Sequence, residues 1–285
     1  MTAMSEPAVA PHPGVATAAR VAPARSWDPR VYQIATLACV LTYGVVRLDL
    51  EVQAITAVAI ITTALATQAL CTRLARRGRF DPRSALISAL SLCLLLRTGS
   101  LGFALLTAVL AIVSKFVLRV GDKHVFNPTN FALVAMMLAT GEIWVSPGQW
   151  GSGLLFAFVL ACAGGLVVNC AARADVTVAF LAIWAGVLVA RSLWLGEPLA
   201  IPLHRLENGA LVLFAFFMIS DPKTTPDSRA GRLLFAALVA LGAYVAQFWL
   251  FRTNALLWSL AVCSLAVPII DRLLPGSRYH WRTSP

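Results

Sequence analysis

The sequence predicts an all-α integral membrane protein of about ten transmembrane helices, arranged as two inverted five-helix repeats. Three observations carry that reading. First, the 285 residues are 59% hydrophobic and only 13% charged, with a mean hydropathy of +0.78. A soluble domain averages about 45–50% apolar and roughly 25% charged, so lipid has to cover much of this surface. Second, ten apolar runs recur, near 31–47, 51–71, 84–96, 100–118, 128–140, 153–171, 176–195, 208–220, 232–250 and 254–271. Third, the basic residues between those runs are heavy on alternate connections.

Residues 1–30 are rich in Ala and Pro and have no apolar core of a signal peptide, so they read as a disordered cytoplasmic tail. Residues 31–140 supply the first five helices, 141–152 an outer loop, 153–272 the second five, and 273–285 a cytoplasmic tail. Ten crossings from an inward N-terminus place six segments in the cytoplasm. They are the N-tail (Arg20, Arg25, Arg30), 72–83 (Arg73, Arg76, Arg77, Arg79, Arg83), 115–127 (Lys115, Arg119, Lys123), the turn at Arg173, 221–232 (Lys223, Arg229, Arg232) and the C-tail (Arg272, Arg278, Arg282). Of the 23 lysines and arginines, only Arg47, Arg97, Arg191, Arg205 and Arg252 are left outside. Such a bias sets orientation, with cationic loops held inward. Arg97, Trp144, Trp150 and Trp194 suit an interfacial belt on the outer side.

A helix needs roughly 20 residues to cross about 30 Å of hydrocarbon, and three runs fall short: 84–96, 129–140 and 208–220. Two of them echo each other. Ala85-Leu86-Ile87 resembles Ala210-Leu211-Val212, and Thr129-Asn130-Phe131-Ala132-Leu133 resembles Thr253-Asn254-Ala255-Leu256-Leu257, at nearly the same spacing. Five helices per half would insert the second half upside down, as in transporters whose paired broken helices mark the ligand site. A tilted helix packed in the bundle explains short runs equally well.

The candidate chemistry lies in two polar turns on the cytoplasmic face. Around the first, Asn127 can cap a helix that starts at Pro128, and Lys123, His124, Thr129 and Asn130 stand beside it. A helix start with cations alongside suits an anionic or carbonyl-bearing group, although an ordinary helix start with basic anchors reads the same way. The second turn holds Ser220, Asp221, Lys223, Thr224 and Thr225 after a short helix that Pro222 ends. These ten residues are the expected cofactor-binding positions; no catalytic residue is identified.

Other classes are excluded by composition and motif. The net charge of +10 is spread among apolar runs, not gathered on a soluble face, which argues against nucleic acid. The six cysteines lie in or beside apolar runs without metal-ligand spacing, and the four histidines offer no bis-histidine haem pair. Neither a haem nor a metal is therefore expected. No HExxH, P-loop, GxSxG or dinucleotide fingerprint occurs.

At Phe126-Asn127-Pro128 and Phe217-Met218-Ile219-Ser220-Asp221-Pro222 the chain resembles the RnfD/NqrB-type membrane subunits of bacterial ion-motive electron-transport complexes. The strings DPRSALISALSLCLLLRTG, SKFVLRVGDKHVFNPTNFALV and FFMISDPKTTPDSRAGR resemble more specifically the UnbU-like branch from enediyne biosynthesis gene clusters. The resemblance covers roughly residues 80–275. It implies a fold of two inverted five-helix repeats similar to urea transporters, in a bacterial inner membrane. It also implies electron transport, with a flavin (FMN or riboflavin) or a quinone as cofactor. Members that carry FMN covalently attach it to a threonine in an SGAT-like motif; here the chain after Thr140 runs Gly141-Glu142-Ile143-Trp144-Val145-Ser146, which argues for non-covalent binding. Besides the lipid bilayer, the expected partners are redox or biosynthetic proteins at the cytoplasmic face. Three functions stay open on the sequence: a redox subunit, which the motifs favour, a small-solute transporter or exporter, and a non-catalytic scaffold for biosynthetic enzymes.

Overall fold

The computed structural model describes residues 28–47, 52–76, 80–146 and 154–279, with backbone alone for 154–160. The expected N-tail through residue 27, the end of the outer loop at 147–152 with Trp150, and the C-tail from 280 lie outside the described residues. Each of the ten apolar runs contains a helix. These are α1 (Pro29–Arg47), α2 (Ala54–Leu74), α3 (Pro82–Leu95), α4 (Leu101–Val117), α5 (Pro128–Thr140), α6 (Leu154–Cys170) and α7 (Ala174–Leu195). A short α8 (Ala200–Leu206) follows in a connection, then α9 (Gly209–Met218), α10 (Arg229–Phe248) and the pair α11 (Ala255–Ser264) and α12 (Val267–Leu273). Among the described residues, α2, α7 and α10 are long and apolar enough to cross a membrane. Joining α11 and α12 across their 50° bend makes four. Ile55, Val58, Leu70 and Leu74 of α2 stand exposed, as do Val178 and Leu193 of α7. Apolar side chains left uncovered on this scale belong against lipid, and the protein is a multi-pass membrane protein.

The expectation of an all-α fold needs one correction. Two short antiparallel pairs interrupt the helices: β1 (Leu96–Thr98) with β4 (Ile143–Val145), and β2 (Arg119–Val120) with β3 (Lys123–His124). The first pair has a physical reason. Helices α3 and α5 have 14 and 13 residues, and at 1.5 Å per residue they reach only about 20 Å. Helix α5 stops at Gly141, whose φ of +66° is the left-handed geometry a glycine tolerates best. Both chains then run on as strands, with Leu96 opposite Val145 and Thr98 opposite Ile143. Leu96, Ile143 and Val145 are buried. Backbone N–H and C=O groups in apolar surroundings must find partners, and pairing the two strands provides them.

Arg97, expected as an interfacial anchor, is buried; its guanidinium donates to the carbonyls of Cys93 (3.4 Å) and Leu96 (2.8 Å) at the end of α3. A cation there complements the negative end of the helix. Trp144 and Trp194 are exposed.

Packing repeats between the halves. Helix α1 lies on α3, α2 on α4 and α4 on α5; in the same order α6 lies on α9, α7 on α10 and α10 on α11. The halves meet through α1 with α6 and α5 with α11. Helices α3 and α5 follow Asp81 and Asn127, and α9 and α11 follow Asn208 and Asn254. Both separations equal 127 (208 − 81 and 254 − 127). The echoed strings are slightly out of step with these helix starts. Thr129 and Asn130 lie inside the first turn of α5, whereas Thr253 and Asn254 precede α11.

One contact fixes the α6–α9 crossing. A methyl group added at Gly164 would meet Cβ and Cγ of Phe216 at 2.7 Å, while one at the next position, Gly165, meets nothing within 4 Å. Gly164→Ala should therefore cost about 1–3 kcal/mol through overpacking, and Gly165→Ala should leave stability unchanged. Thermal unfolding of both variants in detergent checks this; equal midpoints would show that the crossing is not close-packed.

Candidate functional site

The connections that carry most of the basic residues meet at one end of the bundle, held by ion pairs between distant segments. Arg30 pairs with Asp28 (2.6 Å) and closely with Asp81, and Arg83 reaches Asp28 at 3.0 Å. Burial works against the Asp28 carboxylate, but hydrogen bonds from Arg30 and the charges of Arg30 and Arg83 hold it below its ordinary range. Lys123 on β3 bridges Asp227 (3.1 Å) and Asp271 (2.6 Å), and Asp271 also accepts the Asp227 N–H (2.8 Å). Arg232 grips Asp175 at 2.6 Å. These pairs tie the turn before α1 to the start of α3, the β2–β3 hairpin to the segment after α9 and to helix α12, and α10 to the start of α7.

Between them lies a cavity of about 310 Å³. Helices α3 and α5 both start at its wall. Asp81 accepts the Arg83 N–H (3.0 Å), and Asn127 accepts that of Asn130 (3.1 Å); proline follows each cap, where its missing N–H costs nothing. The Asn127 amide also donates to the Met218 carbonyl (3.4 Å) and lies 3.5 Å from the Asp221 carboxylate. Helix α9 ends in a π-turn over 214–218, in which the Ile219 N–H reaches back to Phe214. That wider turn sets Phe216, Phe217 and Met218 in the wall. Such turns are rare and occur mostly at functional sites.

Charge and hydrogen bonding define what the cavity can hold. Lys115 is buried in its wall and donates to the Ser84 carbonyl (3.0 Å) and hydroxyl (3.1 Å). Among the described residues no carboxylate lies within 4 Å of Lys115 or Lys223. Burial lowers the Lys223 pKa, with Asp221 partly restoring it, and burial raises that of Asp221 against the cations nearby. Burial, reinforced by Arg119, Lys115 and Lys223, pushes His124 down to about 3, so its imidazole is neutral at physiological pH. Deeper in, Gln68, Thr72, Ser88 and Ser91 line the wall. Among the described residues, the Gln68 Oε1 and the His124 Nδ1 are buried without a hydrogen-bond partner. Two helix starts and two cations without a carboxylate partner favour an anionic group. The Gln68 oxygen calls for a hydrogen-bond donor.

Of the ten residues singled out from the sequence, His124, Asn127, Thr129, Ser220, Asp221 and Lys223 line this cavity. The other four are engaged elsewhere. Lys123 is the ion-pair bridge described above. Asn130 is buried and donates to the Leu257 carbonyl (3.2 Å). Thr224 and Thr225 donate to the Asp221 carbonyl (3.2 and 3.1 Å), and Thr225 also accepts from Arg173 (3.2 Å). Sequence reasoning missed Lys115, Gln68 and the serines of α3. Their signals were a lysine at the end of an apolar run, Gln68 and Thr72 one helical turn apart, and Ser84, Ser88 and Ser91 along one face. Among the described residues no three His, Cys, Asp or Glu side chains converge on a metal-sized site.

Comparison with known proteins places the second half of the chain in context. Residues 143–280 match the model of the NQR2, RnfD, RnfE family. The chain is similar to the D subunit of the ion-translocating oxidoreductase complex of Shewanella loihica, with 34% identity over 83 residues, which is 29% of this chain and 24% of that protein. The same-named protein of Alcanivorax borkumensis is 32% identical over 93 residues (32% and 27%), and that of Stutzerimonas stutzeri 37% over 77 residues (27% and 22%). The matched stretch spans about a quarter of the length of these relatives.

The neutral state of His124 has a consequence for stability. Its pKa is about 3 in the fold against an ordinary 6.5, so between those values the unfolded chain binds more protons and stability falls as pH falls. Asp221, with its raised pKa, works in the opposite sense. His124→Gln should therefore lose less thermal stability than the parent between pH 7 and pH 5. Parallel melts at the two pH values measure it, and identical losses would mean that His124 titrates normally.

Proposed function

We propose that this chain is an RnfD-like subunit that carries electrons across a bacterial inner membrane, using a non-covalent flavin held in the basic cavity. Its similarity to the NQR2, RnfD, RnfE family over 143–280 supports the redox role. The observation that carries the cofactor reading is the cavity's unmatched hydrogen-bonding and charge inventory. A bound flavin supplies one- and two-electron chemistry; the chain supplies the environment. Lys115, Lys223 and the starts of α3 and α5 would hold the phosphate of FMN or the negative charge of a reduced ring. The Gln68 Oε1 would accept a ring N–H, which an oxidised quinone does not possess. A quinone is accordingly the second choice. The volume of about 310 Å³ lies at the lower end of small-molecule sites, about 300–1,000 Å³. Covalent FMN does not fit the segment after α5, where Gly141 ends the helix and 143–145 form a strand with no threonine.

The same reading takes the ten helical segments as ten crossings, in two inverted repeats, with the basic end and both termini cytoplasmic. The repeated packing, the equal separation of paired helix starts and the inward bias of arginine and lysine support it. Redox partners would dock at the basic face. The resemblance to the enediyne-cluster branch makes a natural-product pathway the setting in which those electrons are used. A small-solute transporter is the second reading, because the chain carries another cavity at the opposite end of the bundle, against the starts of α9 and α11. A scaffold for biosynthetic enzymes is the third.

Purified protein should show the visible absorbance of an oxidised flavin and release the flavin on denaturation without a mass adduct on the chain. Lys115→Met with Lys223→Gln should reduce occupancy about tenfold or more while the helical circular dichroism stays intact. Protein free of flavin that also leaves quinone turnover unaltered would refute the redox reading. Orientation is tested separately: cysteines introduced at Arg76 and at Glu197 should label from the cytoplasm and from outside respectively, and labelling from one face would undo the topology.

A further inference from the structure

The end of the bundle opposite the basic cavity holds a second cavity, of about 430 Å³. Its interior is apolar, with Trp184, Leu211 and Phe214 in the wall, and it meets the starts of α9 and α11. Its polar lining includes Arg205 and Arg252, both of them exposed. The two arginines near Phe248 differ in charge balance. Arg191 lies 4.2 Å from the ring centre and is neutralised by Glu197 at 2.9 Å, whereas Arg205 lies 5.2 Å from the same ring. Among the described residues neither Arg205 nor Arg252 has a carboxylate within 4 Å.

Two further features point to what fills this space. Asn254 adopts left-handed geometry (φ +57°) at the cavity wall; its carbonyl takes the Leu257 and Trp258 N–H groups, while its side chain makes no cap to α11. Phe251 lines the rim, and with its neighbours Trp249 and Leu250 it forms an apolar run of 68%, 63% and 84% exposure in chain order. Three consecutive apolar side chains projecting beside an arginine belong at the boundary between acyl chains and headgroups. Apolar walls with two unmatched cations fit a molecule that is apolar for most of its length and anionic at one end. A small soluble anion has no use for the walls, and a zwitterionic lipid has less use for the cations.

We propose that this cavity binds an anionic phospholipid, with the phosphate between Arg205, Arg252 and the start of α11, and an acyl chain against Trp184, Leu211 and Phe214. The site is independent of the flavin reading and lies outside it.

The full chain, reconstituted in nanodiscs, is photolabelled with phosphatidylglycerol or phosphatidylcholine carrying an acyl-chain diazirine, and the adducts are mapped by peptide mass spectrometry. Phosphatidylglycerol should label the peptides holding Trp184 and 211–214 at least fivefold more than phosphatidylcholine, since a cation near the membrane surface is worth roughly fivefold in anionic-lipid affinity. Arg205→Gln with Arg252→Gln should bring the two lipids level, while Lys223→Gln at the other end changes nothing. Both arginines are exposed, so the double variant keeps its helical signal, which circular dichroism verifies. Equal labelling by the two lipids, labelling unaffected by the double variant, adducts only elsewhere, or protection by soluble riboflavin phosphate would each overturn the assignment.

Discussion

The structure depends on one constraint: a peptide group surrounded by hydrocarbon must find its hydrogen bond within the protein. Long helices such as α2, α7 and α10 meet it along their whole length. Helices α3, α5 and α9 stop short, and each stopping point is met by a different device. The first two run into the paired strands β1 and β4. Helix α9 loosens into a π-turn and ends at Met218; just beyond it one carbonyl, that of Asp221, accepts the N–H groups of Thr224 and Thr225 (3.0 Å each) and both their hydroxyls. Helix starts are where cavities form, because their first N–H groups need partners from outside the helix. Both cavities stand against such starts.

Electrostatics then divides the basic end into two kinds of site. Arg30 (through Asp81), Lys123 and Arg232 are satisfied by carboxylates from distant segments and act as staples. Removing one partner of such a pair leaves the other charge buried, which is the expensive outcome. Among the described residues Lys115 and Lys223 have no such partner, and burial raises the pKa of Asp221, which lies 3.5 Å from the Asn127 amide. A cavity that sets two lysines beside a carboxyl group whose pKa burial raises is better prepared for negative charge arriving with a ligand. It is poorly prepared for a cation.

How much of this was legible follows from the range of the interactions. Helix positions were readable because apolar runs and arginine placement are local properties, and every one of the ten runs contains a helix. The β1–β4 ribbon was not, since Leu96 and Val145 are far apart in sequence and neither segment carries a strand signal longer than three residues. Asn127, Ser220 and Asp221 could be found because prolines mark the helix ends beside them. Lys123 looked like a ligand residue, yet its partners Asp227 and Asp271 come from the other half of the chain. Lys115 looked like an anchor for the opposite reason: whether a lysine at a helix end faces headgroups or a cavity is decided by α3 packing beside it. Neighbours distant in the chain set these roles, and a single sequence does not display them.

Met218 connects the two cavities, for it belongs to the walls of both. It is nearly inaccessible, it is the last residue of α9, and its carbonyl accepts the Asn127 amide at the start of α5. The layer dividing the two ends of the bundle is therefore thin at that point, and it is made of a flexible, polarizable side chain and neutral amides. For a solute carrier such a layer is the natural gate, but a gate has to open, and Asn127 ties this one to both short helices at once. For an electron carrier no opening is needed. A wall in which Met218 faces both cavities needs no opening for electrons, so the tie that obstructs the first function does not obstruct the second.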